Sequence, residues 1–437
     1  MRRASFLACL SLATVLAAAP GCGDDTAPQG GGAPATPTTP DAPAGASPTA
    51  TERPQPETPT PTRPRVHEPA KLPSAPPVQA DGARATLRHA AESNADIDGM
   101  RAALLYLAEL RDADLAADIR RRLLAKDAGA YVDDDDAAVG LEVLLALGDA
   151  QAAEEALALA RALLADEEAS PAIAQALARV DGARRADAEA LLAQIAVGDD
   201  PDAALFAVEA LAAHRSTTAN AALSRIAGDA SAEELLRGSA LAGLLAAGDA
   251  GAAALAERLA ADADDGSALI DGLAVAGVRE VVPYVQKLVE RGFAEGNADF
   301  EFESACTALA TVYGDGADAA GAAQARQAIT DWLRRDGSLD GDVATVALWR
   351  LGDDARGAEA AKLLAYEVAN HEGRDPDVAI ELLEEVARRG LADDPRFAAA
   401  VRAAAALEPS TSGPGLDLAA ARLRAAAAYA FLKSSQR

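Results

Sequence analysis

The stretch Leu141-Glu142-Val143-Leu144-Leu145-Ala146-Leu147-Gly148-Asp149-Ala150 decides how the rest of the chain is read. Leu141, Leu144 and Leu145 recur at helical spacing, and the Gly-Asp pair after them ends the helix and opens a turn into a second one. The same unit returns along the chain, with turns at Arg111-Asp112, Asp181-Gly182, His214-Arg215, Gly248-Asp249, Gly277-Val278, Gly314-Asp315, Gly352-Asp353 and Gly390. Neighbouring turns lie about 29 to 38 residues apart, the range of helical repeats. Leu241, Leu244 and Leu245, and again Val281, Val285, Leu288 and Val289, repeat the apolar spacing, whereas two-residue alternation is nearly absent.

Four helix starts agree with this division. Ser170-Pro171, Asp200-Pro201, Asp375-Pro376 and Asp394-Pro395 each set a capping side chain ahead of a proline, which needs no donor in a first helical turn. One helix pair cannot bury both of its faces, so adjacent pairs must stack and share a core. The expectation is an all-α fold, an α-α superhelix (solenoid) of about nine helix pairs over residues 81–437, with the helix from Gly415 to Leu432 as its C-terminal cap.

The units resemble HEAT repeats, in the short form found in proteins related to phycobilisome lyases. Ala276-Gly277-Val278-Arg279-Glu280-Val281-Val282-Pro283-Tyr284-Val285 looks like that family's turn and second helix with its early proline. Ala146-Leu147-Gly148-Asp149-Ala150 and Arg350-Leu351-Gly352-Asp353-Asp354-Ala355-Arg356 are partial matches. The resemblance spans most of Ala95 to Glu408, and several units lack the family's inner proline and arginine. Tetratricopeptide repeats are the rival, and the absence of their Trp, Leu-Gly and Tyr signature counts against them.

Ahead of the repeats stand two segments of different character. Residues 1–21 read as a signal peptide: Arg2 and Arg3 are followed by a largely apolar run from Ala4 to Ala19 that is short for a membrane span. Ala19-Pro20-Gly21-Cys22 resembles the lipobox of bacterial lipoproteins, which implies lipidation of Cys22 and its use as the mature N-terminus. Cleavage after Ala17-Ala18-Ala19 is the competing reading, and it puts Pro20 directly after the cut, where signal peptidases tolerate it poorly. Residues 22–80 are rich in Pro, Thr, Ala and Gly, as in Pro56-Glu57-Thr58-Pro59-Thr60-Pro61, and have too few large apolar side chains to offset the entropy of ordering. They are expected to form a disordered tether averaging roughly 45 Å end to end as a flexible chain. By resemblance to the sorting rule of enteric bacteria, Gly23 after the cysteine implies the outer membrane of a bacterial cell envelope, the chain touching the membrane through its lipid anchor only.

The net charge is -28, and six basic against seven acidic side chains in residues 1–81 leave about -27 for the rest. Such a surface repels nucleic-acid phosphates and anionic headgroups and admits cationic partners. Aromatic residues make up only 3%, because alanine carries most of the apolar count, so thin and closely packed helices are expected. Cys306, alone in an apolar helical stretch, reads as a small buried hydrophobe. His371-Glu372 lacks the second histidine of a zinc helix and reads as a loop end. No Cys-x-x-Cys, phosphate-cradling glycine loop or Gly-x-Ser-x-Gly elbow occurs, and no catalytic residue, metal or cofactor is assigned. The acidic groups Asp133 to Asp136, Asp262 with Asp264 and Asp265, and Asp336 with Asp340 and Asp342 read as N-capping loops; a calcium-stabilised module is the alternative.

Aromatic rings concentrate between Tyr284 and Tyr366, around an expected enlarged loop from Gly292 to Phe302. Tyr284, Phe300, Phe302, Trp332 and Trp349, beside Glu301 and Glu303, are the candidate partner-binding residues, with gap-filling in an irregular part of the core as the competing reading. The function expected is a non-enzymatic, membrane-anchored scaffold binding a protein partner, a basic or extended peptide. The alternative is a small-molecule-binding or lyase-like enzyme using dispersed groove residues.

Overall fold

A computed structural model describes residues 70–437 apart from 73, 93–95, 128–129, 167, 230, 262–277, 297, 373–375 and 409–413. The signal peptide, Cys22, most of the tether, Gly277, Asp375 and the Asp262 group lie outside the described residues, as does the side chain of Phe300. Nineteen α-helices occur among the described residues, and the one strand pair, Lys126–Asp127 with Ala130–Tyr131, is two residues long on each side. The fold is all-α and solenoid-like.

In chain order the helices are α1 (Ala80–Ala90), α2 (Ile97–Glu109), α3 (Leu115–Arg122), α4 (Asp134–Ala146), α5 (Ala150–Ala165), α6 (Pro171–Ala178), α7 (Arg185–Ile195), α8 (Pro201–His214), α9 (Thr217–Gly228), α10 (Glu234–Ala246) and α11 (Ala250–Ala261). They continue as α12 (Val282–Glu295), α13 (Ala298–Tyr313), α14 (Ala319–Arg335), α15 (Gly341–Arg350), α16 (Gly357–Ala369), α17 (Asp377–Arg389), α18 (Ala398–Ala405) and α19 (Pro414–Ser435). The predicted turns at 111–112, 148–149, 181–182, 214–215, 248–249, 314–315, 352–353 and 390 each join two of these helices. Gly148, Gly248, Gly352 and Gly390 hold φ between +71° and +92°, which side chains with a Cβ rarely adopt. Arg111 and Arg215 take the same left-handed conformation without being glycine.

Aspartates and serines start the helices. The Asp133 side chain accepts from the Asp136 amide, Ser170 from Ile173, Asp200 from Ala203, and Asp340 from Asp342 and Val343. Asp394-Pro395 departs from expectation: Asp394 accepts from the Arg396 amide within a turn, and the helix begins three residues later at Ala398.

Two layers result. α2, α4, α6, α8 and α10 pack side by side, as do α13, α15 and α17, while α3, α5, α7 and α9 lie on the other side of them. Every residue of α4 from Ala137 to Leu144 is buried, and so is every residue of α10 from Gly238 to Leu245. The outer helices bury a single face, as α5 does with Ala152, Ala156, Leu159, Ala160 and Leu163. Alanine permits this close approach: a Cβ on Gly243 of α10 would sit 2.6 Å from Ala212 Cβ and 2.9 Å from Ala212 Cα of α8.

The last helix revises the expected cap. α19 packs against α17 and α18 at its own end of the array and also against α1 and α2 at the other. Among the described residues eight pairs follow the predicted division, and α12 belongs to a ninth unit whose other part lies outside them; the two helices left over, α1 and α19, pair with each other across the length of the chain. The Arg422 guanidinium donates to both Asp96 carboxylate oxygens at 2.7 and 2.6 Å. Tyr106 of α2 and Tyr429 of α19 stack at 4.3 Å with planes 9° apart, and the Tyr429 hydroxyl donates to Glu109 at 2.6 Å. The solenoid is closed by contact between its first and last helices.

Two sets of substitutions test this packing. Replacing Arg422 by Ala leaves Asp96, whose side chain is 8% exposed, without its partner, and should lower stability by about 2 kcal/mol in urea unfolding. Gly243→Ala should destabilise by about 1–3 kcal/mol through overpacking against Ala212, despite alanine's helix propensity. Gly82→Ala, where a Cβ meets nothing within 4 Å, should stabilise by about 0.5–1 kcal/mol on the same assay.

Candidate functional site

Most of the aromatic residues expected to bind a partner belong to the core. Phe302 is 0% exposed, Trp349 1% and Trp332 4%. Phe302 meets Trp332 edge-on at 6.3 Å, and the Trp332 indole N–H donates to Glu290 at 3.1 Å. The expected loop from Gly292 to Phe302 is a tight corner instead. α12 ends at Gly296 with φ +80°, and α13 begins at Ala298, which places Glu301 and Phe302 inside a helix. A Cβ on Gly292 would lie 3.0 Å from Ala298 Cα, so glycine is what lets the two helices approach. Glu301 is buried, with Oε2 lacking a hydrogen-bond partner. Among the candidates whose side chains are described, only Tyr284, half-buried under Lys287 Nζ, and Glu303, exposed on α13, remain open to a partner. Burial and the neighbouring Asp340 and Asp299 push the Glu303 carboxyl up.

Other readings are placed directly. Cys306 is fully buried, and burial pushes its thiol well up, away from the thiolate a nucleophile needs. His371 lies just past α16 with Nδ1 2.9 Å from the Val368 carbonyl oxygen. Asp133 and Asp340 are committed to helix capping, and no group of three or more His, Cys, Asp or Glu among the described residues is placed to hold a metal.

Two cavities carry polar side chains. The smaller, about 50 Å³, lies at the closure seam where α2, α17 and α19 meet. Glu381 and Glu384, one helical turn apart on α17, face it together with Tyr106, Asp98, Asp377 and Arg422. The Tyr106 hydroxyl donates to Glu384 Oε1 at 2.5 Å. Burial pushes the Glu384 carboxyl up to about 7, helped by Glu381 and opposed by the Tyr106 hydrogen bond and by Arg350. Burial also raises Glu381, whose carboxylate lies 3.8 Å from Arg350 Nη1.

The larger cavity, about 760 Å³, opens where α13, α15, α17 and α19 end together. Five arginines line it: Arg350, Arg388, Arg389, Arg396 and Arg437. Its floor is the Trp349 indole, stacked on Phe397 at 5.0 Å, with Arg389 over the first ring at 4.9 Å and Arg396 over the second at 5.6 Å. Arg389 also donates to the Trp349 carbonyl and to Glu385. Arg388 binds the same Glu385 carboxylate at 2.6 and 2.5 Å, so two guanidinium groups share one buried acid. These arginines are spread over almost ninety positions. Two of them share a place within the unit, Arg350 and Arg388 each standing two residues before a turn glycine.

No protein-family model, curated protein or solved structure matches this chain.

The seam makes a pH prediction. In the folded chain Glu384 holds its proton to about pH 7, against an ordinary value of 4.5, so between those values the folded state binds more protons than the unfolded one. Its contribution to stability is therefore present below about pH 4.5 and is lost as pH rises through about 7. The difference in urea midpoint between wild type and Glu384→Gln, measured across that interval, should shift steadily in favour of the variant as pH rises; a difference flat with pH would contradict the assignment.

Proposed function

We propose that this chain is a non-enzymatic binding scaffold of a bacterial cell envelope, lipidated at Cys22 and carried clear of an outer membrane by its Pro/Thr/Ala-rich tether. The helical array is of the HEAT kind in this reading, and its partner is a protein drawn to the acidic exterior through basic side chains. The observation that carries it is the tightness of the seam cavity. Glu381 and Glu384 form the pair closest to acid–base chemistry, yet the space beside them is about 50 Å³, enough for a water molecule or two and not for a substrate. Their role is to close the fold. The charge of -28 supports a cationic partner, and no helix among the described residues is long and apolar enough to cross a membrane. The enzyme reading has one observation on its side, the 760 Å³ cavity, whose size is that of a small-ligand site.

Expression of the full chain in a bacterium supplied with labelled palmitate is expected to label the wild type and not Cys22→Ser, which should leave the membrane fraction. A partner recovered by crosslinking in those cells should bind the purified chain more weakly as ionic strength rises. Membrane retention of Cys22→Ser, or binding indifferent to salt, would refute the corresponding half of the proposal.

A further inference from the structure

We infer that the arginine-lined cavity at the ends of α13, α15, α17 and α19 is a binding site for a small, free ligand bearing two or more anionic oxygen groups, of the phosphate or clustered-carboxylate class.

Three features converge on this. The first is charge that runs against the rest of the molecule. In a chain of net charge -28, five guanidinium groups meet around one cavity of about 760 Å³. Acids pair with four of them, and Asp315 stands near Arg388. Glu385 is shared between Arg388 and Arg389, Asp394 takes Arg396, Asp354 is 89% exposed beside Arg389, and Glu381 stands off Arg350 at 3.8 Å. Arg437, exposed at the rim, makes no ion pair among the described residues. Arg437 is thus the one of the five left without an acid partner among the described residues, at a cavity large enough to hold an anion.

The second feature is rigidity. Arg389 is pinned by Glu385, by the Trp349 carbonyl and by the Trp349 ring, and Arg396 by Asp394 and Phe397. Planar donors fixed in this way lose little freedom on meeting an oxyanion, which raises affinity for a ligand that fits them. The third is space at the helix ends. Gly316, Gly352 and Gly390 turn the chain there with φ of +75°, +92° and +71°. A competing role for arginines here is to satisfy the last carbonyls of each helix, and Arg389 and Arg326 do so at Trp349 and Leu351. Arg388 and Arg396 are held by Glu385 and Asp394, and neither role accounts for Arg437. The acidic exterior repels a planar anionic membrane, so the ligand is a free molecule rather than a lipid headgroup.

Isothermal titration calorimetry of the full chain against sodium pyrophosphate and against trisodium citrate, at low ionic strength, tests this. One-site binding of at least one of them is expected, weakened tenfold or more in the double variant Arg388→Gln with Arg437→Gln and unchanged in Arg121→Gln, an exposed arginine of α3. The double variant keeps the Arg389–Glu385 pair, and an unchanged melting temperature without ligand will show that it folds. Absence of heat with both anions, equal binding by the double variant, or displacement of pyrophosphate by phosphatidylglycerol vesicles overturns the inference. None of these outcomes bears on palmitate labelling or on the protein partner.

Discussion

The structure depends on a constraint set by its inner helices: α4 and α10 are buried all the way round over their middle turns. α4 and α10 bury eight consecutive residues each, so neither can stand at the edge of the array with a side open to water. An amphipathic outer helix solves this problem for one face only. In an open solenoid the terminal units would expose such surface, and the usual remedy is a polar cap at each end. Here α1 and α19 cover each other and the flanks of α2 and α17 in one contact, so a single seam serves both termini.

Polar pairs hold the seam. Arg422 reaches Asp96, Tyr429 and Lys433 reach Glu109, and Tyr106 reaches Glu384. Burial alone would push the Asp96 carboxyl up, but the Arg422 guanidinium, together with the Gly99 and Asp98 amides, more than offsets that and holds it below its ordinary value. Apolar packing tolerates many registers, whereas a bidentate Arg–Asp pair and two tyrosine hydroxyls tolerate one. The buried Arg101–Glu142 pair, joined by the half-buried Arg179 at the end of α6, with contacts of 2.6, 2.7 and 3.0 Å, plays the same part between α2, α4 and α6. Charge inside the array thus fixes which helix meets which, while alanine and leucine supply the burial.

Much of the architecture could be read one unit at a time. Gly148-Asp149, Gly352-Asp353 and Gly390 marked turns because a left-handed backbone favours glycine, and Ser170-Pro171 and Asp200-Pro201 marked starts because capping and proline act within one helical turn. Trp332, Trp349 and Phe302 were open to two readings from their spacing, as anchors for a partner or as filling for an irregular core, and burial of all three places them in the core. The loop expected from Gly292 to Phe302 failed for a related reason. Gly292 serves the close approach of two helices, a role the local pattern does not distinguish from a loop glycine.

What the sequence by itself determined is most of what is encoded within about one unit: stacked helix pairs and most of their ends, an acidic charge balance, and a Pro/Thr-rich segment without the means to build a core. What only the tertiary structure decided is where separate units meet. Asp96 and Arg422 stand 326 residues apart, and their pairing follows from the rotation added at every helix-to-helix step. That rotation is set by side-chain packing at each interface, such as Gly243 against Ala212, and its sum over the whole array is not written in any one unit. The closed seam and the gathering of five arginines around one cavity both arise from that sum.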